Sequence, residues 1–197
     1  MTKDFKCYLV GGAVRDRLLD RATGDRDWVV VGSSESEMKS LGYVPVGKNF
    51  PVYLHPETKE EYALARKEVK IASGHTGFEI DSDSTIKLEE DLFRRDLTIN
   101  AIAQDVKGNL IDPFNGLLDI ERKILRHVSG AFIEDPLRVF RVARFAAELP
   151  DFSVAEETFE LMSVMSQKGD LIQLSAERVW LEMVKAMSAR SPERFFT

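Results

Sequence analysis

The stretch "GDRDWVVVG", residues 24–32, sets two carboxylates directly ahead of a run of apolar, strand-forming residues. On a strand, residues two apart point to the same face, so Asp25 and Asp27 should project side by side. Carboxylates that close repel each other unless a cation lies between them, and Mg²⁺ prefers oxygen ligands. An Asp-rich turn leading into the strand explains the spacing equally well, so the pair alone does not decide for a metal.

A third carboxylate is available in "EEYALAR" (60–66), which alternates polar and apolar residues like a half-buried strand. Glu61 occupies a polar position there and would complete a three-carboxylate cluster with Asp25 and Asp27. Glu60 is the competing candidate, and an exposed strand residue is the alternative for either. Two metal ions bridged by carboxylates activate an attacking hydroxyl and stabilise a leaving pyrophosphate.

A glycine turn precedes the acidic strand. In "LVGGAVRD" (9–16) a strand is followed by Gly11 and Gly12 and then by a helix, where backbone N–H groups are available to a phosphate and Arg15 adds a cation. The stretch is neither a P-loop nor the dinucleotide-binding G-x-G-x-x-G. A tight connection is the usual role of Gly-Gly, but together with the acidic strand it predicts a nucleoside triphosphate site.

Composition restricts the function classes. The chain has 197 residues, 44% of them apolar, and a net charge of −6, which is not typical of a general nucleic-acid binder. Residues 79–91 are acidic and residues 122–144 are basic, so a polyanion would meet the second region, but charge alone favours solvated faces as the explanation of both runs. The single cysteine, Cys7, fits a reducing compartment, and the N-terminal apolar run is too short for a signal peptide. We therefore expect a cytoplasmic protein without a membrane span.

Hydrophobic periodicity predicts an α/β head over the first two thirds of the chain. Strands are expected at 7–10, 27–32, 43–47, 50–55 and 60–66, and helices at 11–21 and 33–42. Residues 67–91 are polar and irregular, which favours a loop, and residues 88–105 have helical character. Residues 109–125 then predict a strand, a turn at Asn115-Gly116, and a helix.

After about residue 130 the pattern predicts only helices. One starts at Asp135-Pro136, a second is capped by Ser153 and Glu156 and ends near Gly169, and a third is capped by Ser175. On the third helix one apolar stripe is expected to lie in the core, and it consists of Val179, Trp180, Met183, Val184 and Met187.

The ordered motifs "LVGGAVRD", "GDRDWVVVG", "EEYALARKE", "RRDLTINA" and "EDPLRVFRVARF" together resemble one family. The chain resembles class II tRNA nucleotidyltransferases, the CCA-adding enzymes of the DNA polymerase β-like superfamily, and most of all the gammaproteobacterial type. The resemblance implies a catalytic head with a small mixed or antiparallel sheet over residues 1–128. It implies an all-helical neck over residues 129–197.

The same resemblance implies residue roles. Asp25, Asp27 and Glu61 match the metal-binding carboxylates, and Asp112 matches the hinge motif between head and neck. The matching nucleotide contacts, with Gly11 beside them at the turn, are Gly12, Arg15, Arg95, Asp135, Arg138, Arg141 and Arg144.

Within that set, Asp135 and Arg138 match a pair that reads the base. They are three apart at a helix start and so share a face. Cytosine and adenine both show an amino donor beside a ring-nitrogen acceptor, which a carboxylate and a guanidinium complement. On spacing alone, a helix cap at Asp135 and a solvated Arg138 are the favoured explanation.

The activity implied is addition of CMP and AMP, from CTP and ATP, to tRNA lacking all or part of its 3′ CCA, with two Mg²⁺ ions. Residues 67–91 match the flexible loop needed to switch from C to A. Relatives continue into helical body and tail domains, and often a phosphohydrolase domain, so we expect a truncated form with low activity on tRNA. The alternatives are a bacterial poly(A) polymerase or A-adding enzyme, and a non-catalytic nucleotide- or RNA-binding module.

Overall fold

The computed structural model describes residues 5–47, 52–70, 78–81 and 84–196. The strands are β1 (Lys6–Val10), β2 (Asp27–Val31), β3 (Val44–Val46), β4 (Val52–Leu54), β5 (Glu61–Leu64), β6 (Lys67–Lys70), β7 (Phe78–Asp81), β8 (Ala103–Asp105), β9 (Leu110–Ile111), β10 (Ile124–Leu125) and β11 (Ser153–Val154). The helices are α1 (Gly12–Leu18), α2 (Glu35–Ser40), α3 (Leu88–Phe93), α4 (Gly116–Arg122), α5 (Leu137–Glu148), α6 (Glu156–Gln167) and α7 (Ala176–Met187). Strands dominate the first two thirds and helices the last, which confirms the predicted fold class.

The main sheet has seven strands in the order β3-β4-β5-β2-β1-β8-β9. Neighbouring strands are antiparallel except β2 and β5, which run parallel. In that parallel pair Asp27, the first residue of β2, lies opposite Glu61, the first residue of β5. On its other side Asp27 faces Val10, the last residue of β1. The acidic residues that begin β2 and β5 therefore lie at the same end of the sheet as the glycine turn that follows Val10.

The prediction that residues 67–91 form a loop is wrong in part. β6 and β7 pair as an antiparallel hairpin in which Lys67 lies opposite Asp81, and α3 begins at Leu88. Residues 71–77 and 82–83 of the predicted loop lie outside the described residues. The polar composition misled the prediction because a hairpin satisfies its backbone N–H and C=O groups internally, whichever side chains it carries.

The helical prediction for residues 88–105 is wrong beyond Phe93. α3 ends there, a 3₁₀ turn covers Thr98–Asn100, and Ala103–Asp105 forms β8 against β1. Ile102 and Ala103 are completely buried. Pairing and burial thus outweigh a weak local preference for helix.

The C-terminal third also departs from the expected pattern, since Ser153–Val154 forms β11, parallel to β10. Ser153 therefore does not cap α6, whose N-cap is Ala155 without a side-chain hydrogen bond. The backbone N–H of Ser153 donates instead to the carbonyl of Lys123 at 2.9 Å. The predicted Ser175 cap of α7 is confirmed, because its hydroxyl accepts from the N–H of Arg178.

Only part of the apolar stripe of α7 reaches the core, since Val179 and Met183 are half-buried and Met183 packs against the cluster that contains Ala186. The exposed fractions of Trp180, Val184 and Met187 are 62%, 43% and 43%, whereas Glu182 and Ala186 are buried. α7 therefore turns a charged and a small residue toward the rest of the protein. No helix in the described part of the chain is long and apolar enough to span a membrane.

The largest hydrophobic cluster joins the strand-rich part of the chain to the helical part. Leu97 and Leu125 pack there with Val142 and Phe145 of α5 and with Met165 of α6, all of them buried. Burial of apolar surface is the main stabilising contribution to folding. This cluster fixes α5 against the segment that follows α3.

Candidate functional site

The three predicted carboxylates lie at one end of the main sheet. Asp27 and Glu61 begin neighbouring parallel strands in register, and Asp25 lies two residues before Asp27. The pKa of Asp27 is raised above its ordinary value of 3.8 by partial burial, then by the charge of Glu61 and also of Asp25, while Arg95 lowers it. Negative charge is thus concentrated at this end of the sheet, with an arginine close by.

A closed metal site is absent from the part of the chain that the structure describes, since no group of three or more His, Cys, Asp or Glu side chains is placed to hold an ion. Asp27 nevertheless has two like-charged neighbours that raise its pKa, and a bound cation would relieve this repulsion. All the candidate ligands are carboxylates, which suit Mg²⁺. The donor chemistry therefore fits magnesium, although the ligand set is not preformed.

Glu60, the rival of Glu61, is engaged elsewhere. Its Oε2 accepts a hydrogen bond from the indole Nε1 of Trp28 at 2.9 Å, and its Oε1 accepts from Arg26 at 3.2 Å. Trp28 also stacks on Tyr62, with ring centroids 5.5 Å apart. Glu60 thus stabilises the aromatic packing beside the sheet, whereas Glu61 is the residue in register with Asp27.

The glycine turn and two arginines are in close contact. Gly11 has φ 71°, and a Cβ atom there would lie 3.2 Å from Nη1 of Arg95. A Cβ atom on Gly12 would lie 3.6 Å from Nη2 of Arg15. The turn therefore needs glycine at position 11 both for its backbone conformation and to admit the guanidinium of Arg95.

Arg95 is held by a buried carboxylate that the sequence analysis did not identify. Asp91 is 1% exposed; Arg94 donates to its Oδ1 at 2.8 Å and Arg95 to its Oδ2 at 3.2 Å. Burial acts to raise the pKa of Asp91, but the charges and hydrogen bonds of Arg94 and Arg95 lower it below its ordinary value. Asp91 lies on α3 and precedes these arginines, which follow the end of the helix, by three and four residues; this spacing could have identified the pairs.

Three arginines surround the buried ring of Phe145. The guanidinium carbons of Arg15, Arg141 and Arg144 lie 4.8, 5.8 and 4.0 Å from its centroid. A cation over an aromatic ring is attracted by the negative face of the ring. Phe145 therefore brings Arg15 of α1 together with the arginines of α5.

A second buried carboxylate, Asp96, connects these arginines. Its Oδ2 accepts from Nε of Arg141 at 2.8 Å, and its Oδ1 accepts from Asn100 at 3.0 Å. Asn100 in turn accepts from Nη1 of Arg15 at 2.7 Å. Burial acts to raise the pKa of Asp96, but the charge of Arg141 and hydrogen bonds from Asn100, Arg141 and the N–H of Leu97 lower it strongly. The sequence analysis missed Asp96 and Asn100, although both lie in the quoted "RRDLTINA".

The side chains of the predicted base-reading pair have protein partners. Asp135 accepts from the N–H of Leu137 at 3.1 Å through Oδ1, and from Nη2 of Arg178 at 2.8 Å through Oδ2. Arg138 is 8% exposed and donates to the carbonyls of Ala131 at 2.7 Å and Arg94 at 2.6 Å. The N-cap of α5 is Pro136, although Asp135 accepts from the first N–H of the helix, and Arg138 is buried rather than solvated. Base reading by this pair stays a prediction.

Arg144, another predicted nucleotide contact, is held by two carboxylates. Its Nε donates to Glu182 at 2.5 Å and its Nη1 to Glu148 at 2.7 Å. Glu182 also lies 3.8 Å from Nη1 of Arg141. The sequence analysis missed Glu182 because its partners come from another helix.

Asp112, the predicted hinge residue, stabilises the start of α4. Its carboxylate accepts from the N–H groups of Gly116 and Leu117, each at 2.8 Å, after a left-handed residue at Asn115. A Cβ atom on Gly116 would lie 2.3 Å from the carbonyl oxygen of Thr98, so α4 approaches the 3₁₀ turn closely. The hinge role itself stays a prediction.

Two family models match the chain. Residues 7–126 match the poly A polymerase head domain, and residues 151–197 match the probable RNA and SrmB-binding site of polymerase A. A multifunctional CCA protein of Pseudoalteromonas atlantica is 58% identical over 96% of this chain and 47% of its own length. A CCA-adding enzyme of Hamiltonella defensa is 61% identical over 96% of this chain and 47% of its own length. The chain thus spans about half the length of the curated relatives it matches.

Solved structures are similar to most of the chain. A CCA-adding enzyme in complex with CTP has a TM-score of 0.76 and 28% identity, covering 98% of this chain and 46% of that one. The Bacillus stearothermophilus CCA-adding enzyme in complex with CTP has a TM-score of 0.75 and 34% identity, covering 92% of this chain and 44% of that one.

Proposed function

Since the chain belongs to the family of the poly(A) polymerase head domain, we propose that it is the catalytic core of a CCA-adding tRNA nucleotidyltransferase. Such a core transfers CMP and AMP from CTP and ATP to a tRNA 3′ end without a template. The observation that carries the proposal is the register of Asp27 opposite Glu61, beside a glycine turn lined by Arg95. A metal-bound triphosphate needs acidic ligands and cations within reach of each other, and this end of the sheet offers both.

We propose that Asp25, Asp27 and Glu61 hold Mg²⁺, with two ions during catalysis. Bound there, the metal would activate the attacking hydroxyl and stabilise the leaving pyrophosphate. The pKa of Asp27 is raised first by burial and then by the charges of Glu61 and Asp25, and a bound cation would offset these effects, which supports the assignment. The hydrogen bonds of Glu60 to Trp28 and Arg26 favour Glu61 as the third ligand.

The cations assigned to the triphosphate are Arg15, Arg95 and Arg141, with Arg144 behind them. Asp91 and Asp96 orient two of these guanidinium groups. Guanidinium groups that are already oriented do not have to move as negative charge develops on the leaving pyrophosphate, so they stabilise this charge effectively. Gly11 and Gly12 would let the phosphates approach the backbone.

Base selection is assigned to Asp135 and Arg138. The carboxylate would accept from the amino group of cytosine or adenine, and the guanidinium would donate to the ring nitrogen. Uracil and guanine present the opposite pattern, so both contacts would be lost. Burial of Arg138 supports this role, because a fixed donor discriminates better than a mobile one.

We also propose the division into a head over residues 1–128 and a neck over residues 129–197, with Asp112 in the hinge. The partners are tRNA lacking all or part of its 3′ CCA, together with CTP and ATP. A single cysteine and action on tRNA support a cytoplasmic location.

Incorporation of labelled CMP into tRNA lacking its 3′ CCA tests this function. Asp25→Ala and Asp27→Ala are expected to abolish incorporation while leaving the fold intact. Glu57→Ala, which removes an exposed carboxylate near the same strands, is the matched control and is expected to be active. Normal incorporation by either aspartate variant would refute the mechanism.

A further inference from the structure

Helix α7 directs two oppositely charged side chains at the residues assigned to nucleotide binding. Arg178 and Glu182 are four residues apart and therefore share one face of the helix. Arg178 donates to Asp135 at 2.8 Å, and Glu182 accepts from Arg144. Neither residue belongs to the metal-binding or nucleotide-contacting set described above.

The contact from Arg178 fixes Asp135 in a specific way. One carboxylate oxygen accepts from the N–H of Leu137 at 3.1 Å and the other from Nη2 of Arg178 at 2.8 Å. Two donors from different helices determine the plane of the carboxylate. Each oxygen has two lone pairs, so both oxygens keep acceptor capacity for a ligand amino group.

We propose that Arg178 is a positioning residue for base selection, acting through the carboxylate of Asp135. The inference rests on the proposed function, because it assumes that Asp135 reads the base. A carboxylate held in one plane presents its remaining lone pairs at a fixed position, where it accepts from a base amino group and repels a base carbonyl. Arg178 thereby excludes the two bases that present a carbonyl where cytosine and adenine present an amino group.

A second observation supports this role. Nη1 of Arg178 is buried and has no hydrogen-bond acceptor among the described residues. A buried donor without a partner is costly, so purely structural arginines normally use both terminal nitrogens. A nucleotide bound beside Asp135 would bring acceptor atoms to this donor.

The attachment of α7 does not depend on Arg178 alone. Glu182 is 5% exposed and pairs with Arg144, and Ala186 is completely buried in a separate cluster with Phe195. Replacing Arg178 should therefore leave the helix in place and free the carboxylate of Asp135 to rotate. The expected effect is on the choice between nucleotides rather than on the fold.

The test is calorimetric titration of the chain with CTP, ATP, UTP and GTP in Mg²⁺. Arg178→Gln is expected to lower the ratio Kd(UTP)/Kd(CTP) roughly tenfold, the effect of one charge-assisted hydrogen bond. Arg178→Lys, which keeps the cation, is expected to give an intermediate ratio. Lys185→Gln removes an exposed cation from the same helix and is expected to leave the ratio unchanged.

The double variant identifies the route of the effect. In an Asp135→Asn background, Arg178→Gln should not change the ratio further, since Arg178 acts through that carboxylate. Equal weakening of all four nucleotides by Arg178→Gln, or an additive effect in the double variant, would overturn the proposal. If the parent chain itself binds all four nucleotides alike, the proposed function fails instead.

Discussion

Replacing Asp96 with asparagine tests whether the site depends on its buried ion pairs. The carboxylate is 6% exposed and accepts from Nε and Nη2 of Arg141, at 2.8 and 2.7 Å. It also accepts from the N–H of Leu97 at 2.8 Å and from Asn100 at 3.0 Å. Asparagine keeps the shape but exchanges one acceptor oxygen for an NH₂ donor, which would then face another donor.

The expected loss of stability follows from these contacts. Removing one partner of a buried ion pair costs about 3–5 kcal/mol. The side chain of Arg141 is 35% exposed, so water compensates in part and the lower end, about 3 kcal/mol, applies. In a chain of this length 1 kcal/mol shifts Tm by about 2–4 °C, which predicts a decrease on the order of 10 °C.

Urea and thermal unfolding at pH 7 measure this loss, and Asp151→Asn is the matched control. Asp151 is a 69% exposed carboxylate 3.7 Å from Lys123, so its loss should cost less than about 1 kcal/mol. Because the pKa of Asp96 is lowered in the fold, its contribution is complete above the ordinary value of 3.8 and is lost as the pH falls through the native pKa. The difference in the free energy of unfolding between the parent chain and Asp96→Asn should therefore become smaller at acidic pH. A decrease in the free energy of unfolding below about 1 kcal/mol at pH 7, or a difference between the two proteins that is the same at pH 3 as at pH 7, would refute the reasoning.

Three further changes probe the metal, the packing and the glycine turn. Because the pKa of Asp27 is raised in the fold, ionisation of this carboxyl lowers the stability of the protein as the pH rises through that pKa. Without metal, the Tm of Asp27→Asn at pH 7 should therefore be no lower than that of the parent chain. Added Mg²⁺ should raise the Tm of the parent chain only. Gly116→Ala would put a Cβ atom 2.3 Å from a backbone oxygen and should cost about 1–3 kcal/mol in urea unfolding, whereas Gly130→Ala, with nothing within 4 Å, should be close to neutral. Gly11→Ala places a Cβ atom 3.2 Å from Nη1 of Arg95 on a backbone with φ 71°. This substitution should weaken CTP binding in calorimetric titration at least as strongly as Arg95→Gln.

The acidic end of the sheet could be predicted because its signals are local. Two carboxylates before an apolar run, and a third on an alternating strand, are visible in the order of the residues. The parallel register that aligns Asp27 with Glu61 is not local, since it joins strands separated by α2, β3 and β4. The family resemblance, rather than periodicity, selected Glu61 over Glu60.

The predictions failed where partners come from distant segments. Periodicity identified the apolar stripe of α7 but not which face is buried, and the buried face carries Glu182 because Arg144 lies opposite. In the same way, the local sequence of Ala103–Asp105 predicts a helix, but pairing with β1 makes it a strand. Asp96 stands in a quoted motif, but its partner Arg141 lies 45 residues away, beyond the reach of any spacing rule.

The order of bases added to a tRNA that lacks its 3′ CCA tests the central claim most directly. The chain is incubated with that tRNA, CTP, ATP and Mg²⁺, and the extended 3′ ends are sequenced. We predict C, C and A in that order, no further addition, and no incorporation when UTP and GTP replace CTP and ATP. Tails of A alone would indicate a poly(A) polymerase or an A-adding enzyme, and indiscriminate incorporation of all four nucleotides would contradict the account.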